Sequence, residues 1–237
     1  MTAGRDIIVD RPAAGVVEIC LDRPDRRNAV TTRLLRQLRD ALVEIGDDRA
    51  AKVVVLSGAG TAFCAGADFD EFAGAEPVDP ADSMGRLRLV IQCMRGLLEL
   101  EPVTIAAVHG PAIGAGWGLA LGCDTCWAGD RAVFALPEVA KGFRVPRLIA
   151  TRLAQVIGPI RAAEIVLSGR KIDADEATTI GAVGRRILGE DPRTPAIDFA
   201  TQLAERPRAV LRGAVDPFRT LAVPDAVPGI EYQWPER

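Results

Sequence analysis

The sequence predicts an α/β fold in which a sheet core is followed by a layer of helices. Strand-like and helix-like segments alternate up to about residue 140, whereas the pattern is helical from residue 146 onward. Residues 53–57 and 103–108 are continuous apolar runs, which are typical of strands buried on both faces of a parallel sheet. The 237 residues suit one such domain.

Within that single domain we expect two parts. Residues 1–190 hold the alternating core, and residues 191–237 form a short C-terminal helical segment with an irregular tail. No repeat and no linker rich in Gly, Pro or Ser divides the chain further.

Composition excludes several classes of function. The net charge of −3 offers no basic surface for nucleic acid or an anionic membrane, so we expect neither as a partner. Five cysteines without framework spacing predict free thiols in a reducing cytoplasm. Cys123 and Cys126 match C-x-x-C, but no second pair or nearby histidine completes a zinc site, and we expect no metal. The N-terminus has no apolar signal region, which predicts neither export nor membrane insertion.

The first half of the chain reads as a hairpin, a helix and a strand. Residues 7–9 and 16–21 predict two strands joined by a Pro-Ala-Ala-Gly turn. Thr31 or Thr32 can cap the next helix, whose leucines and isoleucine recur at helical spacing. The strand at 53–57 leads into a Gly/Ala-rich loop.

The middle of the chain contains a long, nearly uncharged stretch at residues 103–123. Its length permits a membrane span, but Pro111 breaks any continuous helix, and Glu101 and Asp124 flank it where basic anchors are expected. The better interpretation is a buried strand, a Gly-rich turn and a helix that begins near Gly114. A helix at about 82–100 precedes this stretch.

The remaining segments are shorter. Residues 124–128 predict a strand, and residues 132–139 predict an extended segment that ends at Glu138. Helices follow at 148–156 and 160–167, a short one is capped by Asp173, a strand-like return occupies 181–187, and two helices lie near 195–205 and 207–221.

Two Gly/Ala-rich loops, at residues 64–68 and 110–118, each follow a buried strand and offer a candidate site. Neither carries a nucleophilic side chain, but both can present backbone N–H groups, and two such donors meeting at one carbonyl would stabilise an enolate or oxyanion. The alternative is that the glycines only permit close packing of strand and helix. A dinucleotide fingerprint fails because Leu119 holds its third glycine position, and no phosphate-binding loop or nucleophile elbow occurs. His109 is better explained as a turn residue than as a catalyst.

Glu138 is the remaining group of chemical interest. It closes an apolar segment, where loss of solvation would raise the pKa of a carboxylate towards that of a useful base. The alternative is a solvated surface glutamate.

Three segments resemble the enoyl-CoA hydratase/isomerase (crotonase) family: R-P-D-R-R-N-A-V at residues 23–30, A-F-C-A-G-A-D at residues 62–68, and residues 105–124 continuing to Pro137 and Glu138. The resemblance implies a spiral of ββα units, a C-terminal helical region used in trimer contacts, and an acyl-CoA thioester as substrate. Coenzyme A is then part of the substrate and no separate cofactor is implied. The assembly implied is a homotrimer or a dimer of trimers.

The resemblance also assigns roles to residues. The two oxyanion-hole amides fall on Ala67 and Ala115, although family members usually have glycine at the second position. The carboxylate base falls on Glu138. Positions implied to bind acyl-CoA are Arg26, Arg27, Ala29, Ala65, Asp68, Phe69, Gly114, Trp117 and Gly118, of which Arg26 or Arg27 can meet the phosphates.

One departure from the family pattern bears on the reaction. Hydratases of this family use two glutamates, and the first falls four residues after Gly114, where this chain has Gly118. A single carboxylate suffices to move a proton from C2 to C4, so Gly118 with Glu138 retained favours a double-bond isomerase. The alternatives are a hydratase that uses another acid, a thioester hydrolase or dehalogenase, and a non-catalytic acyl-CoA-binding protein. Residues 141–147 also depart from the family pattern, which affects the substrate pocket and oligomer contacts.

Overall fold

The computed structural model describes residues 4–72 and 80–220, which form an α/β fold as predicted. The strands are β1 (Ile7–Ala13), β2 (Val16–Leu21), β3 (Val53–Gly58), β4 (Val103–Val108), β5 (Pro111–Ile113), β6 (Thr125–Ala128), β7 (Val133–Ala135), β8 (Ile172–Asp173) and β9 (Arg185–Arg186). The helices are α1 (Thr32–Asp47), α2 (Phe69–Phe72), α3 (Pro80–Glu99), α4 (Ala115–Leu121), α5 (Arg147–Ile157), α6 (Pro159–Ser168), α7 (Ala174–Thr179), α8 (Arg193–Ala204) and α9 (Arg208–Thr220).

The strands form two sheets. The larger has the order β1-β2-β3-β4-β6-β9, and the smaller has the order β5-β7-β8. β1 and β2 form the predicted antiparallel hairpin, while the other pairs of the larger sheet are parallel. In the smaller sheet β5 pairs in parallel with β7, and β8 lies antiparallel to β7. The long apolar stretch therefore contributes one strand to each sheet before it enters α4.

The larger sheet is covered by helices on both faces, which explains its continuous apolar strands. Val54 and Leu56 of β3 point into the main core, which they share with α1, α3 and α4. Val53 and Val55 point to the opposite face, into a second core that contains Ala196, Ala200 and Ala204 of α8. Because these alanines recur every fourth residue, they lie on one side of the helix and let it approach the sheet closely.

Local sequence signals explain the start of α1. Thr31 is its N-cap and accepts a hydrogen bond from the amide of Leu34 at 3.1 Å, which satisfies one of the amides that lack an intrahelical partner. The residues predicted to form its apolar face are all buried: Leu34, Leu35, Leu38, Leu42 and Ile45.

A buried ion pair holds the end of α9 close to the start of β4. The Nε of Arg219, whose residue is 6% exposed, donates to Oδ1 of Asp124 at 2.6 Å. Arg219 also donates to the carbonyls of Leu100 and Pro102, just before β4. Asp124 in turn accepts from the amide of Thr104 at 2.7 Å. The end of α9 is therefore held against the start of β4.

Most of the predicted elements are present, and the differences are local. Residues 111–113 form β5 instead of a turn; Pro111 is tolerated because it is the first residue of a three-residue strand. α2 and the two-residue β8 were not predicted. The irregular tail predicted at the C-terminus lies mostly in residues 221–237, outside the described residues.

All five cysteines are unpaired and buried. Within residues 4–72 and 80–220, no group of three or more His, Cys, Asp or Glu side chains is placed to hold a metal ion. Over the same residues, none of the helices combines the length and apolarity needed to cross a bilayer.

Candidate active site

The two Gly/Ala-rich loops pack directly against each other. The amide of Cys64 donates to the carbonyl of Pro111 at 3.0 Å, and the amide of Ile113 donates to the carbonyl of Cys64 at 2.9 Å. The first loop thus adds a short strand-like segment beside β5. Two regions separated by some fifty residues in sequence are joined immediately before α4 begins.

Glycines make this close approach possible. Gly66 has φ +91°, and a Cβ built on it would lie 2.7 Å from the carbonyl oxygen of Ile113 and 3.9 Å from the amide nitrogen of Ala115. Gly116 presses against the carbonyl of Cys64 in the same way. The close-packing explanation of these glycines is therefore correct, and it also determines which backbone groups remain available.

The amides of Ala67 and Ala115 are left without acceptors. Val30 donates to the carbonyl of Gly66 at 2.7 Å and accepts from the amide of Asp68 at 3.0 Å, so the Ala67 amide points away from this pairing. Ala115 is the first residue of α4, where an amide has no intrahelical acceptor. Among the hydrogen bonds of the described residues, neither amide donates. Gly66, the residue before Ala67, also lies close to the Ala115 amide, since a Cβ built on it would be 3.9 Å from that nitrogen.

Glu138 lies beside the first turn of α4. The amide of Gly114, the N-cap of α4, donates to the carbonyl of Ala135 at 2.9 Å, which ties the end of β7 to the start of this helix. Glu138 follows Ala135 by three residues, and its Oε1 lies 2.7 Å from the position that a Cβ on Gly114 would occupy. A side chain at position 114 would therefore displace the carboxylate.

The carboxylate of Glu138 is poorly solvated. Its Oε2 atom is buried and has no hydrogen-bond partner among the described residues. Burial raises the pKa of Glu138 above its ordinary value of 4.5, and the nearby charge of Lys141 opposes this only in part. A buried polar atom without a partner is rare in folded proteins and indicates a functional role.

The space beside Gly118 holds an apolar side chain. A Cβ on Gly118 would lie 2.6 Å from Cδ1 and 3.0 Å from Cγ1 of Ile149, a residue of α5 that is 1% exposed. Within the part of the chain that the structure describes, no acid lies among the nearest atoms to this position. Position 118 therefore carries no carboxylate, and among the described residues Ile149 is the side chain that faces it.

The model of one family matches most of the chain. That family is described as enoyl-CoA hydratase/isomerase, and the match covers residues 11–229. The chain belongs to the enoyl-CoA hydratase/isomerase family. The resemblance found in the sequence motifs is therefore confirmed, and with it the acyl-CoA class of enzyme to which the family's name refers.

Relatives of the family agree in sequence and in fold. The probable enoyl-CoA hydratase echA12 of Mycobacterium leprae is 34% identical over 204 residues, which cover 84% of this chain and 69% of that protein. The probable mitochondrial enoyl-CoA hydratase 2 of Arabidopsis thaliana is 35% identical over 195 residues, which cover 81% of this chain and 64% of its own length.

Solved structures show the same architecture. An enoyl-CoA hydratase from Bacillus anthracis matches with a TM-score of 0.86 and 32% identity over 90% of this chain and 82% of that one. A monofunctional enoyl-CoA isomerase from M. smegmatis matches with a TM-score of 0.78 and 28% identity over 94% and 97% of the two chains. The predicted crotonase-like fold is confirmed by these likenesses.

The acidic and basic residues implied to bind acyl-CoA are engaged with one another. Asp68, which is 3% exposed, accepts from Arg23 at 2.9 Å and from Arg26 at 3.1 Å. Burial acts to raise the pKa of Asp68, but the hydrogen bond from Arg23 and those from the Asp70 amide and Arg26 outweigh it, so the pKa is lowered overall. Arg26 also pairs with the exposed carboxylate of Asp70. This cluster ties the Arg-rich loop to the first Gly/Ala loop.

The other implied binding positions lie in varied surroundings. Arg27 is exposed and has φ 50°, and its carbonyl accepts from the Ala65 amide at 2.9 Å. Ala29 is buried, Ala65 is half-buried, and Phe69 begins α2. Trp117 is 1% exposed, with its ring centroid 5.5 Å from that of Phe134, so its side chain lies in the main core.

Two further residues of this region were not singled out from the sequence. Asn28 is buried and donates to the carbonyls of Ala59 and Ala62 at 2.8 Å, which shapes the first loop. Its left-handed backbone, with φ 55°, is a conformation in which Asn is enriched, so the residue type was an available signal. Ile149 carried no such signal. His109 bonds to the carbonyl of Gly60 at 3.0 Å, in keeping with a turn residue.

Proposed function

We propose that this protein is an enoyl-CoA isomerase that shifts a double bond from C3 to C2 of an acyl-CoA thioester. The proposal is carried by one observation: the partly buried carboxylate of Glu138, whose Oε2 has no hydrogen-bond partner among the described residues, lies at the start of α4, while Ile149 fills the place of a second acid at Gly118. Hydration requires a base and an acid placed on the same water. Isomerisation requires one group that can hold and release a proton.

The proposed reaction uses the groups that lack partners. Glu138 takes a proton from C2, and the electron pair of that C–H bond moves towards the thioester carbonyl to form a dienolate. The amides of Ala67 and Ala115 stabilise the negative oxygen. Glu138 then returns the proton at C4, a C4–H bond forms, and the double bond settles between C2 and C3. No other reactant is consumed.

The rest of the site completes the proposal. In this proposal, coenzyme A is part of the substrate. The positions that line or support the path of the acyl-CoA are Arg26, Arg27, Ala29, Ala65, Asp68, Phe69, Gly114, Trp117 and Gly118. We expect a homotrimer or dimer of trimers without a separate cofactor, as the family resemblance implies. We expect it in the cytoplasm, because the five cysteines lack disulfide spacing.

The solved structures similar to this chain include both an isomerase and a hydratase. The second candidate is a hydratase, because the two relatives named above carry that name. A hydratase would need an acid other than one at position 118.

Purified protein supplied with 3-enoyl-CoA and, separately, with 2-enoyl-CoA discriminates between these functions. We expect 2-enoyl-CoA to form from the first substrate faster than 3-hydroxyacyl-CoA forms from the second. Glu138→Gln should lower the isomerisation rate by about 10²- to 10⁴-fold, as expected for loss of a general base. Glu44→Gln, on an exposed position of α1, is the matched control and should leave the rate unchanged.

Three results would refute the proposal. Faster hydration than isomerisation in the unaltered protein would show that the lack of a carboxylate at position 118 does not prevent hydration. Undiminished turnover in the Glu138→Gln variant would show that Glu138 is not the base. Tight binding of acyl-CoA without turnover of either substrate would indicate a binding protein instead.

A further inference from the structure

We infer that Ile149 is a specificity-determining residue that keeps solvent from the proton carried by Glu138. Its side chain closes the Gly118 side of the site, so that the proton taken from C2 is the same proton delivered to C4. This inference rests on the proposed isomerase function.

Glu138 and Ile149 each lie against one of two glycines at the start of α4. Gly118 donates its amide to the carbonyl of Gly114 at 3.0 Å, so the two glycines are one helical turn apart. The carboxylate of Glu138 lies against Gly114, and Ile149 lies against Gly118. The carboxylate of the base therefore lies against the start of the helix, and the apolar side chain of Ile149 lies against the next turn.

The side chain of Ile149 is held in place. Three residues beyond Ile149 on α5, Nε of Arg152 donates to the carbonyl of Leu121 at 3.2 Å, and Leu121 lies three residues beyond Gly118 on α4. The two contacts keep the helices in register. The guanidinium of Arg152 is poorly solvated, and this burial lowers its pKa. Since Ile149 is 1% exposed, it is packed on all sides.

Between the two transfers the proton resides on the carboxyl of Glu138, and exchange with solvent requires a water molecule that can form a hydrogen bond to that group. Oε2 is buried and has no donor among the described residues. The side chain of Ile149, against the next turn of α4, is apolar and provides no partner that would retain a water. Transfer from C2 to C4 should then outpace exchange.

The test measures deuterium in the product. Unlabelled 3-enoyl-CoA is isomerised in D₂O, and the 2-enoyl-CoA formed at low conversion is analysed for deuterium at C4 by mass spectrometry or NMR. In the unaltered protein most product molecules should retain the original hydrogen. Ile149→Val removes Cδ1, the atom nearest to the missing Cβ of Gly118, and should raise the deuterated fraction several-fold. Ile149→Ala should raise it further.

Controls separate this effect from loosening of the core. Ile157→Ala makes a cavity in the same helix two turns away, where Ile157 is 5% exposed, and should leave the deuterated fraction unchanged. Ile149→Leu keeps the apolar volume and should stay near the unaltered value.

Each outcome decides the question. Full exchange in the unaltered protein, or an unchanged fraction in the folded Ile149→Val variant, overturns the role of Ile149 while leaving the isomerase function intact. An equal rise in Ile157→Ala would attribute the effect to general loosening and also overturns it. Absence of isomerisation in the unaltered protein refutes the proposed function, and the inference falls with it.

Discussion

Adding a single methyl group at Gly118 tests whether Ile149 fills the space where the second acid would stand. In Gly118→Ala, the new Cβ would lie 2.6 Å from Cδ1 and 3.0 Å from Cγ1 of Ile149. Both distances are shorter than normal contacts between carbon atoms, which are optimal near 3.5–4.0 Å. Ile149 must therefore change rotamer or α5 must move.

The structure allows the cost to be estimated. Overpacking a well-filled core destabilises by about 1–3 kcal/mol. The gain in helix propensity from Gly to Ala offsets about 1 kcal/mol of this. The net loss in unfolding free energy for Gly118→Ala should thus be about 0–2 kcal/mol. Ile149→Val alone should cost about 0.5–1.5 kcal/mol, because it leaves a small cavity.

The double variant Gly118→Ala/Ile149→Val carries the decisive signal. Removing Cδ1 makes room for the new methyl group, so the double variant should be more stable than the sum of the single changes predicts. The coupling between the two sites should be about 1–2 kcal/mol, within the range seen for residues in contact. Gly118→Ala combined with Ile157→Val is the matched control, and its effects should add.

Unfolding in urea at a fixed protein concentration provides the measurement, since an assembly makes stability depend on concentration. The four proteins of the cycle are compared by their midpoints at a common slope. Additivity within about 0.5 kcal/mol would show that positions 118 and 149 are not in contact. The account of the missing acid would then be wrong.

Three further predictions concern the base, the first loop and the C-terminal helix. Burial raises the folded-state pKa of Glu138, so folding favours its neutral form; this stability is present below the unfolded value near 4.5 and is lost as pH rises through the folded pKa. Glu138→Gln should therefore increase the thermal midpoint at neutral pH, and the isomerisation rate of the unaltered protein should rise with pH through an apparent pKa above 4.5. Gly66→Ala places a Cβ against the backbone carbonyl of Ile113 at a positive φ and should cost more than about 1 kcal/mol in urea unfolding, with loss of turnover in whatever folds. Arg219→Ala leaves the carboxylate of Asp124 buried without its partner and should cost about 3–5 kcal/mol, part of which Asp124→Asn should restore in the double variant.

The predictable part of the fold consists of elements with strong local signals. α1 has a capping threonine and leucines at helical spacing, and it begins at Thr32, within the predicted range. α7 begins after Asp173, whose side chain accepts from the amide of Glu176 at 2.8 Å as a capping residue should. By contrast, β5 and β8 are only three and two residues long, and each exists because β7 lies beside it. Strands that short depend on their partners more than on their own sequence.

The part of the candidate site formed by backbone amides was predictable from the sequence, whereas the part formed by a neighbouring helix was not. A glycine-rich turn before a helix indicates available amides, and Ala115 is where they occur. The absence of a glutamate at Gly118 could be read directly. That Ile149 occupies the resulting space follows from how α5 packs on α4, and nothing near residue 149 in the sequence indicates it.

The two explanations first offered for the glycines prove to be one. Gly66 and Gly116 allow the loops to approach closely, and the amides of Cys64 and Ile113 join them by two hydrogen bonds. The amides of Ala67 and Ala115 take no part in this joint. Close packing thus holds these two donors in place. A larger residue at Gly66 should therefore reduce stability and catalysis together. Gly118, by contrast, determines only which side chain occupies the space opposite the base.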